Sequence, residues 1–293
     1  MVQGGSMSGI LIAICYDFDG TLSPGNMQEY DFFKGLGMSP AEFWEEARKL
    51  ALAHSADSVL AYMKLMIDKA GSRGGMRIDR EAFAEYGSSV ELFRGVDGWF
   101  DRVNEYARSR GAETEHYIIS SGIKEMIEGT RIARHFKDIF ASSFIYDEQG
   151  RAEWPAMAIN YTNKTQYLFR INKGVEDITD NKVVNRHVPH DERRIPFRRM
   201  AYLGDGDTDI PCMKLVKEKG GFSLSVFPGV PERKRREACE LHAQGRVNAV
   251  ALADYSEGSY LESIIFAFID HVVADAMLDD VSAVLDCGDP RLW

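Results

Sequence analysis

The first apolar stretch and the residues after it constrain the fold of this chain more than any other feature. The run Leu11–Cys15 has the length and the β-branched content of a buried parallel strand. Asp17 and Asp19 follow this run, and Gly20 ends the strand. In open α/β sheets, ligands bind at the carboxyl ends of the strands. The sequence therefore predicts a parallel sheet with a functional site at this edge.

Two carboxylates so close together also indicate what the site holds. They repel each other by roughly 4 kcal/mol at 4 Å if the effective dielectric constant is about 20. A divalent cation removes that cost, and carboxylate oxygens are ligands that Mg²⁺ prefers. The same residues also fit a strand that ends in an ordinary Asp-Gly turn. This stretch alone leaves both interpretations open.

Polar residues follow two further apolar stretches. Tyr117-Ile118-Ile119 leads into Ser120-Ser121-Gly122, which is typical of a strand that ends in hydroxyl groups. Ala201-Tyr202-Leu203 leads into Gly204-Asp205-Gly206-Asp207-Thr208-Asp209, which is a second acidic group at the end of a strand. Between them, Asn163-Lys164-Thr165 begins a helical pattern that continues to about Lys173.

The order of these motifs resembles the haloacid dehalogenase-like (HAD) hydrolase superfamily. Its pattern is DxDGT, a Ser or Thr at a strand end, a Lys, and GDGxxD, and the four motifs lie in that order between residues 17 and 209. The resemblance implies an α/β fold with a Rossmann-like three-layer core, a parallel sheet and a small cap domain. One departure is the second motif, Ser-Ser-Gly, where relatives with this type of cap often have Ser-Gly-Gly.

The resemblance assigns roles to the first two motifs. Asp17 is the expected nucleophile, which forms an aspartyl-phosphate. Asp19 is the expected general acid for the leaving group and then the base for the attacking water. Ser120 is an expected catalytic and substrate-binding residue, and with the amides of Ser121 and Gly122 it is expected to hold the phosphoryl oxygens.

The third motif supplies the expected active-site lysine. Lys164 is predicted to be catalytic and substrate-binding, because it would neutralise charge on the nucleophile and on the phosphoryl group. Lys173 and Lys182 are alternatives that the sequence does not exclude.

The expected metal site combines the first and last motifs around Mg²⁺. The resemblance implies as ligands a carboxylate of Asp17, the backbone carbonyl of Asp19 and the carboxylate of Asp205, while Asp209 ligates the ion or orients its ligands. Asp207 is expected to face solvent. The four carboxylates carry −4 and a phosphate monoester about −2 more, and one Mg²⁺ and one lysine offset +3 of this charge.

A helical insertion is predicted between the first two motifs. Helical patterns at about 28–36, 39–54, 56–70 and 79–93 lie between a turn near Ser23 and a turn near Gly95. We therefore predict a core domain of residues 1–23 and 95–293 and a cap of residues 24–94. The cap resembles the helical bundle of phosphoserine phosphatase-like members, and we expect it to move as a lid. Its aromatic residues fit either the bundle core or a substrate pocket.

The composition limits which partners and which cellular compartment we expect. The net charge of −10 over 293 residues argues against a nucleic-acid partner. The four cysteines are widely spaced without a CxxC pair, as in a protein of a reducing compartment. We find no signal peptide and no run long enough for a membrane span. We therefore expect a cytoplasmic protein without a membrane partner.

These observations together favour a Mg²⁺-dependent phosphatase that acts on a small phosphorylated metabolite. Asp19 favours phosphoryl chemistry, because dehalogenases of the superfamily lack an acid two residues after the nucleophile. A phosphomutase or phosphotransferase remains an alternative, as does a non-catalytic protein that binds phosphorylated metabolites. The basic clusters at 193–199 and 233–236 either gather phosphate or form a solvated surface. The helical pattern at 259–285 packs on the core or forms a homodimer.

Overall fold

The computed structural model describes residues 9–72, 75–175, 177–190 and 192–283. Within them, seven strands form one sheet in the order β4-β3-β2-β1-β5-β6-β7. The strands are β1 (Ile10–Tyr16), β2 (Ala112–Ile123), β3 (Phe136–Tyr146), β4 (Ala152–Met157), β5 (Met200–Gly204), β6 (Phe222–Phe227) and β7 (Ala249–Leu252). All neighbouring strands pair in parallel except β3 and β4, which form an antiparallel hairpin. The predicted α/β, Rossmann-like fold is confirmed.

Helices cover both faces of this sheet. They are α1 (Asp31–Leu36), α2 (Pro40–His54), α3 (Ser58–Ser72), α4 (Arg80–Ser88), α5 (Val96–Ser109), α6 (Lys124–Glu128), α7 (Lys164–Lys173), α8 (Asn181–Asn185), α9 (Ile210–Glu218), α10 (Glu232–Ala243) and α11 (Tyr260–Ala283). In the part of the chain that the structure describes, no helix is both long and apolar enough to cross a membrane.

The central strand β1 shows why the protein has three layers. Ile12, Ile14 and Tyr16 point to the face that packs against α5, α11 and the helices of the insertion. Ala13 and Cys15 point to the opposite face, which packs against α7 and α9. Because successive side chains of a strand point to opposite faces, an uninterrupted apolar run is needed to bury the strand on both sides.

Four helices, α1 to α4, occupy the predicted insertion. The capping box at Ser39 and Glu42 begins α2 as predicted. Two predicted boundaries are wrong. The first helical pattern is divided at Tyr30 into a 3₁₀ turn (Met27–Glu29) and α1, and the last helix, α4, ends at Ser88 rather than near Phe93. Tertiary contacts decided the second boundary: the amide of Phe93 donates to the carbonyl of Leu22 instead of continuing a helix.

The last helix of the insertion packs tightly on the core helix α6. Glycines lie at the contact on both sides. A Cβ atom on Gly87 would lie 1.9 Å from the carbonyl oxygen of Met126, and one on Gly129 would lie 2.0 Å from the carbonyl oxygen of Ala84. The ring of Phe83 also stacks on Phe144 of β3, with ring centroids 5.2 Å apart. We therefore expect any lid motion to be confined to α1–α3, since moving α4 would break this close contact.

Two other regions differ in detail from the sequence prediction. The short helix α8 and the helix α10, which carries the cluster at 233–236, were not predicted. The helix α11 packs on α5, β1 and β7 through a buried apolar face that includes Ile265, Phe268 and Ile269. Its role in a homodimer remains a prediction. Cys15, Cys212 and Cys239 are free thiols, and Cys287 lies outside the described residues.

The contact between α4 and α6 predicts a large effect of one methyl group. Gly87→Ala should lower the free energy of unfolding in urea by about 1–3 kcal/mol, because the added Cβ overlaps a backbone carbonyl. Gly71→Ala is the matched control, since Gly71 lies in α3 with no atom near its missing Cβ. It should stabilise the protein by up to about 1 kcal/mol. Equal stabilities of the two variants would contradict the packing described.

Candidate active site

The order of the strands brings the sequence motifs together. The strand β1 lies between β2 and β5, and all three run in the same direction. Asp17 follows β1, Asp205 follows β5 and Ser120 lies near the end of β2, so the three residues share one edge of the sheet. The amide of Asp17 donates to the carbonyl of Leu203 at 2.9 Å, which fixes the two acidic ends beside each other.

The turn after Asp19 is shaped by a glycine. Gly20 has a φ of +78°, which L-residues rarely adopt, and a Cβ atom there would lie 2.4 Å from Cγ of Asp205. The absence of a side chain at this position therefore lets the two acidic loops approach each other.

A buried lysine lies between two of the site's carboxylates. Nζ of Lys164 donates to Oδ1 of Asp17 at 2.8 Å and to Oδ1 of Asp209 at 2.6 Å, and the lysine side chain is fully buried. Burial alone would lower the pKa of Lys164. Asp17 and Asp209 raise this pKa by more than burial lowers it, so the ammonium stays charged. Burial and the charge of Asp209 raise the pKa of Asp17, while Lys164 opposes them.

Asp209 is held by the protein through both of its carboxylate oxygens. The phenol of Tyr202 donates to Oδ1 at 2.7 Å, beside the bond from Lys164. The amides of Asp205 and Gly206 approach Oδ2 at 3.3 and 3.4 Å. These bonds fix the Asp209 carboxylate, so it can orient Lys164 and the acidic loop.

Three carboxylates gather closely enough to share a metal ion. Oxygen atoms of Asp17, Asp205 and Asp209 all lie within 4.8 Å of one another. The carboxylate of Asp19 is not part of this group of three, and Asp207 is exposed beside it. Oxygen donors of this charge fit Mg²⁺.

Asp19 occupies a different position, on the wall of a cavity that lies between the acidic residues and the insertion. Its Oδ1 accepts a hydrogen bond at 2.9 Å from the amide of Met27, a residue of the insertion. Burial and the charge of Asp17 raise the pKa of Asp19 well above its usual range, although the bond from Met27 opposes this.

Two backbone amides at the end of β2 already have partners within the protein. The amide of Gly122 donates to Oγ of Ser120 at 3.0 Å, and the amide of Ile123 points to the sulfur of Met27 at 3.2 Å. Ser120 is buried, and both Ser120 and Gly122 line the cavity. For the amide of Gly122 to hold a phosphoryl oxygen as expected, its present bond to Ser120 must break.

A cavity of about 460 Å³ lies between the acidic residues and the insertion. Glu29, Trp44 and Tyr62 form its wall on the side of the insertion. The indole of Trp44 donates to Oε1 of Glu29 at 2.7 Å, which holds this carboxylate in place. Trp44 and Tyr62 pack with the bundle core and also line the cavity, whereas Phe33 and Phe43 lie in the core without lining it. The sequence did not distinguish these positions.

The positions of the three candidate lysines distinguish Lys164 from Lys173 and Lys182. Lys173 donates to the carbonyls of Val184 and Arg186, away from the cavity, and Lys182 is exposed on α8. Of the three candidates, the structure places Lys164 among the acidic residues.

The two basic clusters also differ. In the first, Arg194 pairs with Glu115, and Arg198 pairs with Asp275 and Asp279. In the second, Lys234 lines the cavity and its Nζ lies 3.3 Å from Oδ2 of Asp205. The sequence signal for Lys234 was a run of four basic residues, which does not tell which side chain points to the site.

Comparison with known proteins identifies the family of this chain. A sequence model of the haloacid dehalogenase-like hydrolase family matches residues 14–214, which include all four motifs. The chain therefore belongs to the haloacid dehalogenase-like hydrolases. It is also 26% identical over 277 residues to an uncharacterized protein of Borreliella burgdorferi, a match that covers 86% of this chain and 94% of that protein.

Solved structures share the fold at low sequence identity. A HAD family hydrolase from Salmonella enterica serovar Typhi has a TM-score of 0.55 and 15% identity, covering 87% of this chain and 69% of its own. A phosphoserine phosphatase described as a phospho-aspartyl intermediate analogue has a TM-score of 0.52 and 12% identity, covering 87% and 98%. A probable phosphoserine phosphatase from Vibrio cholerae has a TM-score of 0.54 and 10% identity, covering 91% and 67%.

The environment of Asp205 predicts an effect of pH on the metal-free protein. Burial and the charge of Asp209 raise the pKa of Asp205 from 3.8 to about 6, despite Lys234. The folded state thus holds this proton more tightly than the unfolded state, and the carboxyl lowers stability as the pH rises from about 4 to about 6. Asp205→Asn should match the wild type near pH 4 and be about 3 kcal/mol more stable near pH 7.

Urea unfolding in EDTA between pH 4 and 7 measures this difference. Asp207→Asn is the control, because Asp207 is exposed on the same loop and its replacement should change stability by less than about 0.5 kcal/mol. A stability difference for Asp205→Asn that does not vary with pH would contradict the prediction.

Proposed function

We propose that this protein is a Mg²⁺-dependent phosphatase that hydrolyses a small phosphomonoester through an aspartyl-phosphate on Asp17. The observation that carries the proposal is the group formed by Asp17, Asp205 and Asp209 around the buried ammonium of Lys164. Asp19 lies beside this group on the same cavity. Two comparisons support the proposal: the chain belongs to the HAD-like hydrolases, and it shares its fold with a phosphoserine phosphatase.

Asp17 and Asp19 have distinct parts in the proposed reaction. A carboxylate oxygen of Asp17 attacks phosphorus, and the bond from phosphorus to the leaving oxygen breaks while Asp19 gives that oxygen its proton. Asp19 then takes a proton from water, which attacks the phosphorus of the aspartyl-phosphate. The bond between Asp17 and phosphorus breaks, and inorganic phosphate leaves.

The other residues bind and orient. Lys164 keeps Asp17 in place and offsets its charge, and Tyr202 holds Asp209, which in turn holds Lys164. Asp17 and Asp205 would hold Mg²⁺, with Asp209 orienting their loops, and the bound ion would offset the charge of the phosphoryl oxygens. Lys234 would add positive charge on the side of the cavity near Asp205.

A cavity of about 460 Å³ fits a small phosphorylated metabolite, which we propose as the substrate class. Release of phosphate from a panel of such metabolites tests the proposal. Transfer of the phosphoryl group without release would indicate a phosphomutase or phosphotransferase, and binding without turnover would indicate a sensor.

The proposal predicts a dependence on Mg²⁺. Activity should be lost in excess EDTA and return with Mg²⁺, because the carboxylates cannot otherwise share the cavity with a phosphate dianion. Asp205→Asn should need a higher Mg²⁺ concentration for half-maximal activity, whereas Asp207→Asn should not. Full turnover after exhaustive chelation would show that the metal is not required.

A second prediction concerns the proton that Asp19 supplies. Asp19→Asn should slow the first step by about 10²- to 10⁴-fold for alkyl phosphates, whose leaving group needs a proton, but only mildly for p-nitrophenyl phosphate. Because the variant also loses the base for water, the aspartyl-phosphate should accumulate with the aryl substrate. Rapid mixing should then show a burst of nitrophenolate followed by slow turnover.

Asp17→Asn is the control for that burst, because it lacks the nucleophile and should show none. If Asp19→Asn slows the first turnover equally with both substrates, Asp19 has a structural or metal-binding role instead.

A further inference from the structure

A tyrosine from a distant segment holds the turn that carries Asp19. The phenol of Tyr255, a residue between β7 and α11, donates to the carbonyl of Thr21 at 2.7 Å, and its side chain is fully buried. Burial raises the pKa of this phenol well above its usual range, so the group remains a donor at neutral pH. Residues 234 positions apart are thus joined directly at the loop that follows the proposed nucleophile.

The turn is compact, so a contact at Thr21 also bears on Asp19. The carbonyl of Phe18 accepts hydrogen bonds from the amides at positions 21, 22 and 23, at 3.2, 2.8 and 3.1 Å. The amide of Gly20 closes the turn with a bond of 2.7 Å to the carbonyl of Ser23. Because these bonds join the residues on both sides of Asp19, a displacement of Thr21 moves the backbone of Asp19 as well.

Tyr255 is itself anchored by three contacts. Its amide donates to the carbonyl of Arg94 at 2.8 Å, and its ring packs edge-on against Trp99 with ring centroids 5.1 Å apart. Its carbonyl accepts from the guanidinium of Arg102, which also donates to the buried carboxylate of Glu262 at 2.6 Å. Since Trp99 and Arg102 lie on α5 and Glu262 lies on α11, the turn after β1 is tied to two helices outside the insertion.

The proposed nucleophile is held by other contacts. The amide of Asp17 donates to the carbonyl of Leu203 at 2.9 Å, and its carboxylate accepts from Lys164 at 2.8 Å. Neither bond involves the turn at 18–23 or Tyr255. A change at Tyr255 should therefore displace Asp19 more than Asp17.

We propose that Tyr255 is a positioning residue for Asp19, because its bond to Thr21 holds the turn where the Asp19 carboxyl can reach the leaving oxygen. This inference rests on the proposed phosphatase function. Tyr255 does not line the cavity, so it acts through the turn and not by contact with the substrate. Proton transfer requires donor and acceptor atoms about 2.6–3.2 Å apart, and a misplacement of about 1 Å can slow a reaction by about 10²-fold.

The leaving group of the substrate provides the test. Tyr255→Phe keeps the ring against Trp99 but loses the bond to Thr21. It should slow the first turnover of alkyl phosphates by about 10- to 100-fold, and that of p-nitrophenyl phosphate by less than about threefold, because nitrophenolate leaves without a proton. The substrate concentration for half-maximal rate should not change. Tyr86→Phe is the control, since its phenol donates to the carbonyl of Arg77 in the insertion, and it should slow neither substrate.

A double variant distinguishes positioning from a general loosening of the site. If Tyr255 acts through Asp19, adding Tyr255→Phe to Asp19→Asn should not slow the first turnover of alkyl phosphates any further. A general loosening would instead slow it by the same factor in both backgrounds. Rapid mixing under single-turnover conditions measures these rates.

A second variant serves if Tyr255→Phe does not fold. Arg102→Lys loses the forked guanidinium that joins the carbonyl of Tyr255 to Glu262. It should slow alkyl phosphates more than p-nitrophenyl phosphate, by about three- to tenfold, because Tyr255 keeps its own bond to Thr21 but is less firmly anchored. An equal effect on both substrates would count against the role of this anchor and of Tyr255.

The outcomes separate this inference from the function on which it rests. A wild-type protein that releases no phosphate from either kind of ester would overturn the proposed function. An active wild type in which Tyr255→Phe slows both substrates equally, or neither, would overturn the positioning role alone. A further loss in the Asp19→Asn background would overturn it too, since Tyr255 would then act on something other than Asp19.

Discussion

The candidate active site depends on one buried lysine that lies between two carboxylates. Asp17 and Asp209 belong to different strand ends, and their charges would repel each other without the ammonium of Lys164 between them. Removing one member of such a buried group leaves an uncompensated charge, which costs several kcal/mol. Since Tyr202 also donates to Asp209, the β5 strand and α7 are held together through this polar contact as well as through apolar packing.

The insertion contacts the rest of the protein in two ways. At α4 it is joined to the core by close backbone packing, which resists displacement. At the cavity it supplies polar contacts, from the amide of Met27 to Asp19 and from Tyr62 to Ser121, which can break and re-form more easily. This difference fits a cap in which one end stays fixed while the helices near the cavity adjust to a ligand.

The solved relatives share the fold of this chain at 10–15% identity, which is too low for the fold alone to specify a substrate. The side chains on the cavity wall are those that a bound ligand would contact. Ser121 lies near the end of β2 on this wall, and Glu29, Trp44 and Lys234 also line it. Under the proposed function, we expect substrate choice to depend on these side chains rather than on the α/β core.

The sequence by itself determined the α/β class, the family, and the strands that have Asp17, Ser120 and Asp205 at or near their carboxyl ends. These features are local, since an apolar run, a glycine and adjacent acids specify a strand and its end without distant contacts. Tertiary structure decided which residues meet. Lys164 could not be chosen over Lys173 because both lie on α7 and only the packing of that helix places one of them beside Asp17. The contact of Tyr62 with Ser121 joins residues 59 positions apart, and no sequence pattern encodes it.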